Sequence, residues 1–173
     1  MNNKRNNVLM LVEAGVMIAL AYILNEYLKI YKMPQGGSVT LGSMLPIIVF
    51  SIRWGAKNGI VVGLAFGILD MLTGHMYSVP QVMLDYILAF SLMGLSGLPL
   101  GKNKGNILTY IPSIVLAFIL RYFSHVLSGM LFFNVDFAGS AKYNSFLLPD
   151  FVICIFMLAI LWQPLQKIIR NNK

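Results

Sequence analysis

Charge is scarce in this chain of 173 residues, with Asp, Glu, Lys and Arg making up only 11% of it. A soluble domain carries about 25%, so a fully water-facing surface is excluded. Cysteine occurs once, at Cys154 in an apolar run, which excludes an intrachain disulfide framework and a cysteine metal cluster. Histidine occurs only at His75 and His125, and that separation is no metal motif. The chain has no GxxxxGK[ST] loop, no HExxH and no GxSxG, so ATP hydrolysis and hydrolase chemistry by those routes have no residues to run on. The sequence reads as a protein that is not an enzyme, with no cofactor and no metal.

Apolar residues are abundant, at 58%. A helix needs about 20 mostly apolar residues to cross the hydrocarbon core. Runs at 8–27, 59–72, 79–98, 107–133 and 146–165 meet or approach that, and a sixth, 41–52, is short enough to be either a short span or a re-entrant segment. We expect a short span. The first apolar run, 8–30, is too long for a signal h-region and predicts a first membrane helix. The expected fold is an all-α integral membrane protein, a compact six-helix transmembrane bundle forming a single domain over residues 1–173.

The net charge of +7 does not point to nucleic acid, because the basic residues are scattered between apolar runs rather than gathered in one patch. Six spans put nine of them on one side: Lys4, Arg5, Arg53, Lys57, Lys102, Lys104, Lys167, Arg170 and Lys173. Lys29, Lys32 and Lys142 fall on the other side, and Arg121 lies within a span. The excess of Lys and Arg predicts cytoplasmic termini and a multi-pass protein of the cell membrane.

Two small-residue patterns stand out. Gly55, Gly59, Gly63 and Gly67 recur every four residues, a bare stripe suited to internal packing or to docking of a subunit. Gly15 and Ala19 form a second such pair on the first helix.

Ionisable groups within a membrane are costly and are functional candidates. The expected topology gathers Asp70, Asp85, His125 and Asp150 into the outer half of the bilayer. The 74–77 loop adds His75 and Tyr77, and the segment before the last helix adds Tyr143 and Asn144. Tyr86, Tyr122, Phe132 and Phe133 supply further rings. Carboxylates among aromatic faces suit a flat cation, by ion pairing and cation–π contact. Each residue has a plainer role too. Asp70 at a helix end faces water, Asp150 in a first helical turn is favoured by the helix dipole, and His75 is a surface-loop residue. Arg121 either neutralises an acid or snorkels toward the cytoplasm, and the sequence leaves both open.

Several stretches together resemble the thiamine-specific S component, the substrate-binding membrane subunit of energy-coupling factor (ECF) transporters. They are Pro34-Gln35-Gly36-Gly37-Ser38 with Thr40, Leu45-Pro46-Ile47, Arg53-Trp54-Gly55, Leu72-Thr73-Gly74-His75-Met76-Tyr77, and Gln81 through Asp85-Tyr86. Arg121-Tyr122-Phe123 with His125, Tyr143-Asn144 and Leu148-Pro149-Asp150 complete the set. The resemblance spans nearly the whole chain. It implies a six-helix fold with a substrate pocket near the outer face and thiamine as ligand. Substrate-binding roles then fall on Asp85, where a glutamate is usual, and on Tyr86, Tyr77, His125 and Asn144. His75 joins them from the same loop as Tyr77, and Phe133 stands where a tryptophan is expected. It also implies partners: a transmembrane coupling subunit, met by Gly15 and Ala19, and two ATPase subunits. The shorter Asp85 and the missing tryptophan leave room for a related vitamin or a thiamine precursor. From other classes come a membrane-embedded hydrolase or transferase using Asp85, His125 and Asp70, and an assembly subunit without a ligand.

Overall fold

The structure, a computed structural model, describes residues 2–34, 37–101, 103 and 106–170. Gln35, Gly36, Lys102, Lys104 and Lys173, used in the sequence arguments above, lie outside the described residues. The chain runs as helix α1 (Asn2–Tyr27), a hairpin of β1 (Lys29–Lys32) and β2 (Ser38–Thr40), α2 (Leu45–Trp54), α3 (Ala56–Met71) and α4 (Val79–Gly97). After a 3-10 turn at Ile107–Thr109 come α5 (Ile111–Phe132), the short α6 (Phe137–Tyr143) and α7 (Leu147–Arg170).

The six expected spans correspond to α1 to α5 and α7. Among the described residues, four helices are long and apolar enough to cross a membrane, at Lys4–Tyr27, Val79–Gly97, Ile111–Phe132 and, joining α6 to α7, Phe137–Lys167. The doubtful run at 41–52 becomes α2, whose ten residues rise only about 15 Å. Residues 45–52 are all buried, so α2 is a central pillar and has almost no lipid face. Its Ile47, Ile48 and Phe50 meet Phe66, Met93 and Ile114 in the core. Gly55 turns the chain into α3 at a φ of 86°, in the left-handed region that glycine adopts without steric cost.

The glycine stripe on α3 is a packing seam. A Cβ at Gly59 would strike Ser51 Oγ, one at Gly63 the Phe90 carbonyl, and one at Gly67 the Tyr86 carbonyl. These contacts lie within the bundle, so the stripe serves α3–α4 and α3–α2 approach and is no docking face. In lipid such close backbone approach is a main source of helix association.

The α1 helix sits differently. Only 6% of its apolar window is buried, and Leu11, Val12 and Val16 are more than half exposed, as suits a lipid-facing surface. Polar ties hold it. Glu13 pairs with Arg53 Nη2 at 2.9 Å and accepts from Trp54 Nε1 at 2.7 Å. Near its other end, Asn25 Nδ2 donates to Asp70 at 2.5 Å.

Two elements differ from expectation. Residues 29–32 and 38–40 pair as antiparallel strands, Lys29 with Thr40 and Lys32 with Ser38, where the sequence suggested no strand. Residues 137–143 form α6, capped by Asp136 Oδ1 accepting from Gly139 N–H at 3.2 Å.

Candidate functional site

The chemistry-bearing residues collect at one end of the bundle, around a cavity of about 430 Å³. That volume lies within the roughly 300–1,000 Å³ usual for small-molecule sites. The last turns of α1 and α3, the hairpin, the first turns of α4 and α7, the C-terminal half of α5, and α6 all contribute walls. Because α1 ends at the cavity and α7 begins there, these two helices run away from it, carrying the start of α1 and the end of α7 toward the opposite end of the bundle.

Asp85 is the best-held carboxylate. It lies in a π-helical segment of α4, Met83–Leu88. The Leu84 carbonyl there accepts from Ala89 N–H, five residues on, and from Ser124 Oγ of α5 at 2.7 Å. This wider turn, a form often found at functional sites, holds both Asp85 and Tyr86 on the cavity wall. Three donors reach the Asp85 carboxylate: Gln81 Nε2 at 2.6 Å, Ser128 Oγ at 2.7 Å and His125 Nδ1 at 3.0 Å. A carboxylate only accepts, so the His125 proton sits on Nδ1. His125 Nε2 is buried and has no hydrogen-bond partner among the described residues. In the neutral ring it is an acceptor.

Aromatic side chains form the next layer. Tyr77 meets Phe133 edge-on, with centroids 5.1 Å apart, and His75 stacks on Tyr77 at 6.2 Å and 15°. Tyr86 Oη donates to the His75 carbonyl at 3.1 Å. His75 is exposed as expected of a loop residue, yet it lines the cavity. Asn144 is buried, and its Nδ2 donates to the Ser140 carbonyl at 3.0 Å. Gly129 lets α6 approach α5 here, since a Cβ would strike Ser140 Oγ, which itself donates to the Val126 carbonyl.

Three acidic and basic residues have roles other than the plain ones. Asp70 is half-buried against Asn25 and lines the cavity, so it is not simply a water-facing helix end. Asp150 is 2% exposed and accepts from Thr40 Oγ1 at 2.6 Å, so the helix dipole alone does not account for it. Arg121 Nη1 lies 3.6 Å from Asp150 Oδ2, and its guanidinium covers the Phe90 ring at 4.8 Å. It neutralises an acid and does not snorkel.

All seven expected substrate-binding residues, Asp85, Tyr86, His125, Tyr77, Asn144, Phe133 and His75, line this one cavity. Tyr122 and Phe132 do not: Tyr122 donates to the Ala141 carbonyl and packs beside the hairpin, while Phe132 is 37% exposed. Ser128 was missed, as was Gln81 as a partner of Asp85, although Gln81 and Asp85 stand four apart on one helix face. Ser128 stands three residues from His125, a spacing that could have found it. Among the described residues, no three His, Cys, Asp or Glu side chains converge as a metal site would require. The Ser128 hydroxyl donates to Asp85 and not to His125, so the two residues form no Ser–His pair.

Comparisons with known proteins bear on the fold and the family. The solved structure of ThiT from Listeria monocytogenes superposes with a TM-score of 0.77 over 95% of this chain and 98% of that one, at 24% identity, and so shares its fold. The thiamine transporter ThiT of Bacillus subtilis (strain 168) is 33% identical across 99% of both chains. A second thiamine transporter ThiT, from Lacticaseibacillus paracasei, is 29% identical over 53% of this chain and 52% of its own. The sequence profile of one family, described as thiamine transporter protein (Thia_YuaJ), matches residues 11–170, and this membrane protein belongs to that family of transporters, which are not enzymes.

Proposed function

We propose that this chain binds thiamine in the cavity at the end of the bundle and serves as the substrate-binding subunit of an ATP-driven ECF-type uptake transporter. The observation that carries the reading is the Asp85 carboxylate, held by three donors within an aromatic-walled cavity. Thiamine joins a thiazolium cation to an aminopyrimidine. The anion complements the first, and ring faces and polar edges such as those of Tyr77, Phe133 and His125 complement both. The Nε2 of His125 suits an N–H or O–H donor on the ligand.

Transport requires energy, and no nucleotide-binding motif occurs in this chain. The reading therefore includes a transmembrane coupling subunit and two ATPase subunits. Gly15 and Ala19 are both exposed on α1, and a Cβ at Gly15 would meet nothing within 4 Å, which supports an open docking face. The ligand would enter from outside the cell, with the chain termini in the cytoplasm, as the Lys and Arg distribution favours.

Calorimetric titration of the purified chain with thiamine, its phosphates and its separate ring halves tests the ligand. Thiamine should bind tightest, with each half far weaker. Tight binding of one half and weak binding of thiamine would move the assignment to a precursor, a reading favoured by Asp85 and Phe133 standing where the resemblance leads one to expect a longer acid and a larger ring.

A further inference from the structure

Gln81 has a part in this site that neither its position in the sequence nor the pocket itself assigns. It lies in the first turn of α4, only 3% exposed, beside a loop exposed throughout residues 72–77. Its amide makes two bonds of opposite sense. Oε1 accepts from the Tyr77 main-chain N–H at 3.2 Å, and Nε2 donates to Asp85 Oδ2 at 2.6 Å. A main-chain N–H can only donate and a carboxylate can only accept, so these partners fix which way the amide points. Glutamate would lose the donor and set a second negative charge beside Asp85. Asparagine is a methylene too short to span both, and methionine matches the length but makes neither bond.

The loop that Gln81 holds carries His75 and Tyr77, whose rings stack and then meet Phe133. A second tie, from Tyr86 Oη to the His75 carbonyl, also runs to α4. Asp85 thus lies between the two residues that fasten the loop, and one of those fastenings ends on its own carboxylate.

We propose that Gln81 is a positioning residue that joins the Tyr77 loop to the anion at Asp85, so that loop closure and carboxylate orientation are set together and the ligand's residence time is lengthened. The inference rests on the reading of the cavity as a thiamine site. Buried as it is, Gln81 offers a ligand little surface and acts through its two partners. Without its amide, the Tyr77 N–H is released while the His75 carbonyl keeps its tie to Tyr86, and Asp85 loses one of its three donors.

The test measures thiamine association and dissociation rates on the purified full chain, by isotope chase, for wild type and Gln81→Met, each also in a Tyr77→Ala background. Gln81→Met should raise the dissociation rate about tenfold, the worth of a hydrogen bond to a charged group, with association changed less than about twofold. In the Tyr77→Ala background, where the loop has lost its ring, the same change should add less than about threefold. Amide exchange across residues 72–78 in the ligand-free protein should also speed up in Gln81→Met. An unchanged dissociation rate, equal effects in both backgrounds or unchanged loop exchange would overturn the proposal. Should Gln81→Met fail to fold, Gln81→Asn is measured by the same criteria. Wild-type protein that does not bind thiamine would overturn the ligand reading and this inference with it. Normal wild-type binding beside an unaffected Gln81→Met overturns this inference alone.

Discussion

Asp85 accepts three hydrogen bonds from side chains of its own protein. Those donors orient the carboxylate, and its free edge lines the cavity where a cation would sit. Asp85→Asn removes the charge and cannot accept all three bonds. It should weaken thiamine binding by about 1.5–3 kcal/mol, read by calorimetry on protein whose melting profile shows it folded. Wild-type affinity in such protein would remove Asp85 from the site. The Arg121–Asp150 pair is a different case, buried on both sides and fixing Thr40 at the base of the hairpin. Removing one partner strands the other charge. Arg121→Met or Asp150→Asn alone should cost about 3–5 kcal/mol, and the double variant much less than their sum. The midpoint of thermal denaturation in detergent measures this, and additive losses would mean that the two charges do not act as a pair. Residue types and spans made Asp85, His125 and Tyr77 legible in the sequence as site residues. The partner of Arg121 was not legible, because its acid lies on another helix and only packing brings α5 and α7 together.

At the scale of the element, the glycine stripe was readable because a four-residue spacing lies on one helix face whatever the fold. What it faces was not readable, and the structure supplies it in the Phe90 and Tyr86 carbonyls of α4. A backbone carbonyl cannot swing away as a flexible side chain can. Gly63→Ala should therefore lower the thermal midpoint of the detergent-extracted protein clearly, while Gly15→Ala, whose Cβ meets nothing within 4 Å, should leave it unchanged. Equal effects at the two positions would mean the seam is looser than described. The hairpin escaped the sequence reading for a physical reason. Hydropathy ends the first span at 27, where α1 ends, but Lys29–Lys32 and Ser38–Thr40 are too short and too irregular in polarity to announce strands. The π segment of α4 escaped for another: its register depends on a Leu84 carbonyl shared with Ser124 of a distant helix. The N-cap of α6 was legible in principle, with Asp136 standing three residues before Gly139.

On the scale of the whole molecule, the hydropathy runs marked out six spans, which became α1 to α5 and α7, but not the short α6, and the charge count sorted the connecting segments onto two sides. The structure puts the cavity at the end away from the start of α1 and the end of α7. In the proposed function, ligand capture belongs to that end and docking of the coupling subunit to a surface along α1. Lipid gives helices little hydrophobic reason to associate, so a partner needs small residues that allow close approach. Gly15 and Ala19, four apart and both exposed, offer such a strip beside the lipid-facing Leu11, Val12 and Val16. Glu13 fastens the same stretch of α1 to Arg53 and Trp54, so bulk added on the outer side should not dislodge the helix. Replacing both Gly15 and Ala19 with Trp should block a partner by volume alone. Thiamine binding by the isolated protein should survive within about twofold, since distant sites act independently. Thiamine uptake by cells that also carry the coupling and ATPase subunits should fall sharply. Normal uptake by the double variant would exclude this strip as the docking surface. Loss of uptake together with loss of binding would show that the substitutions damage the pocket, and the coupling role would then have to be sought on another face of the bundle.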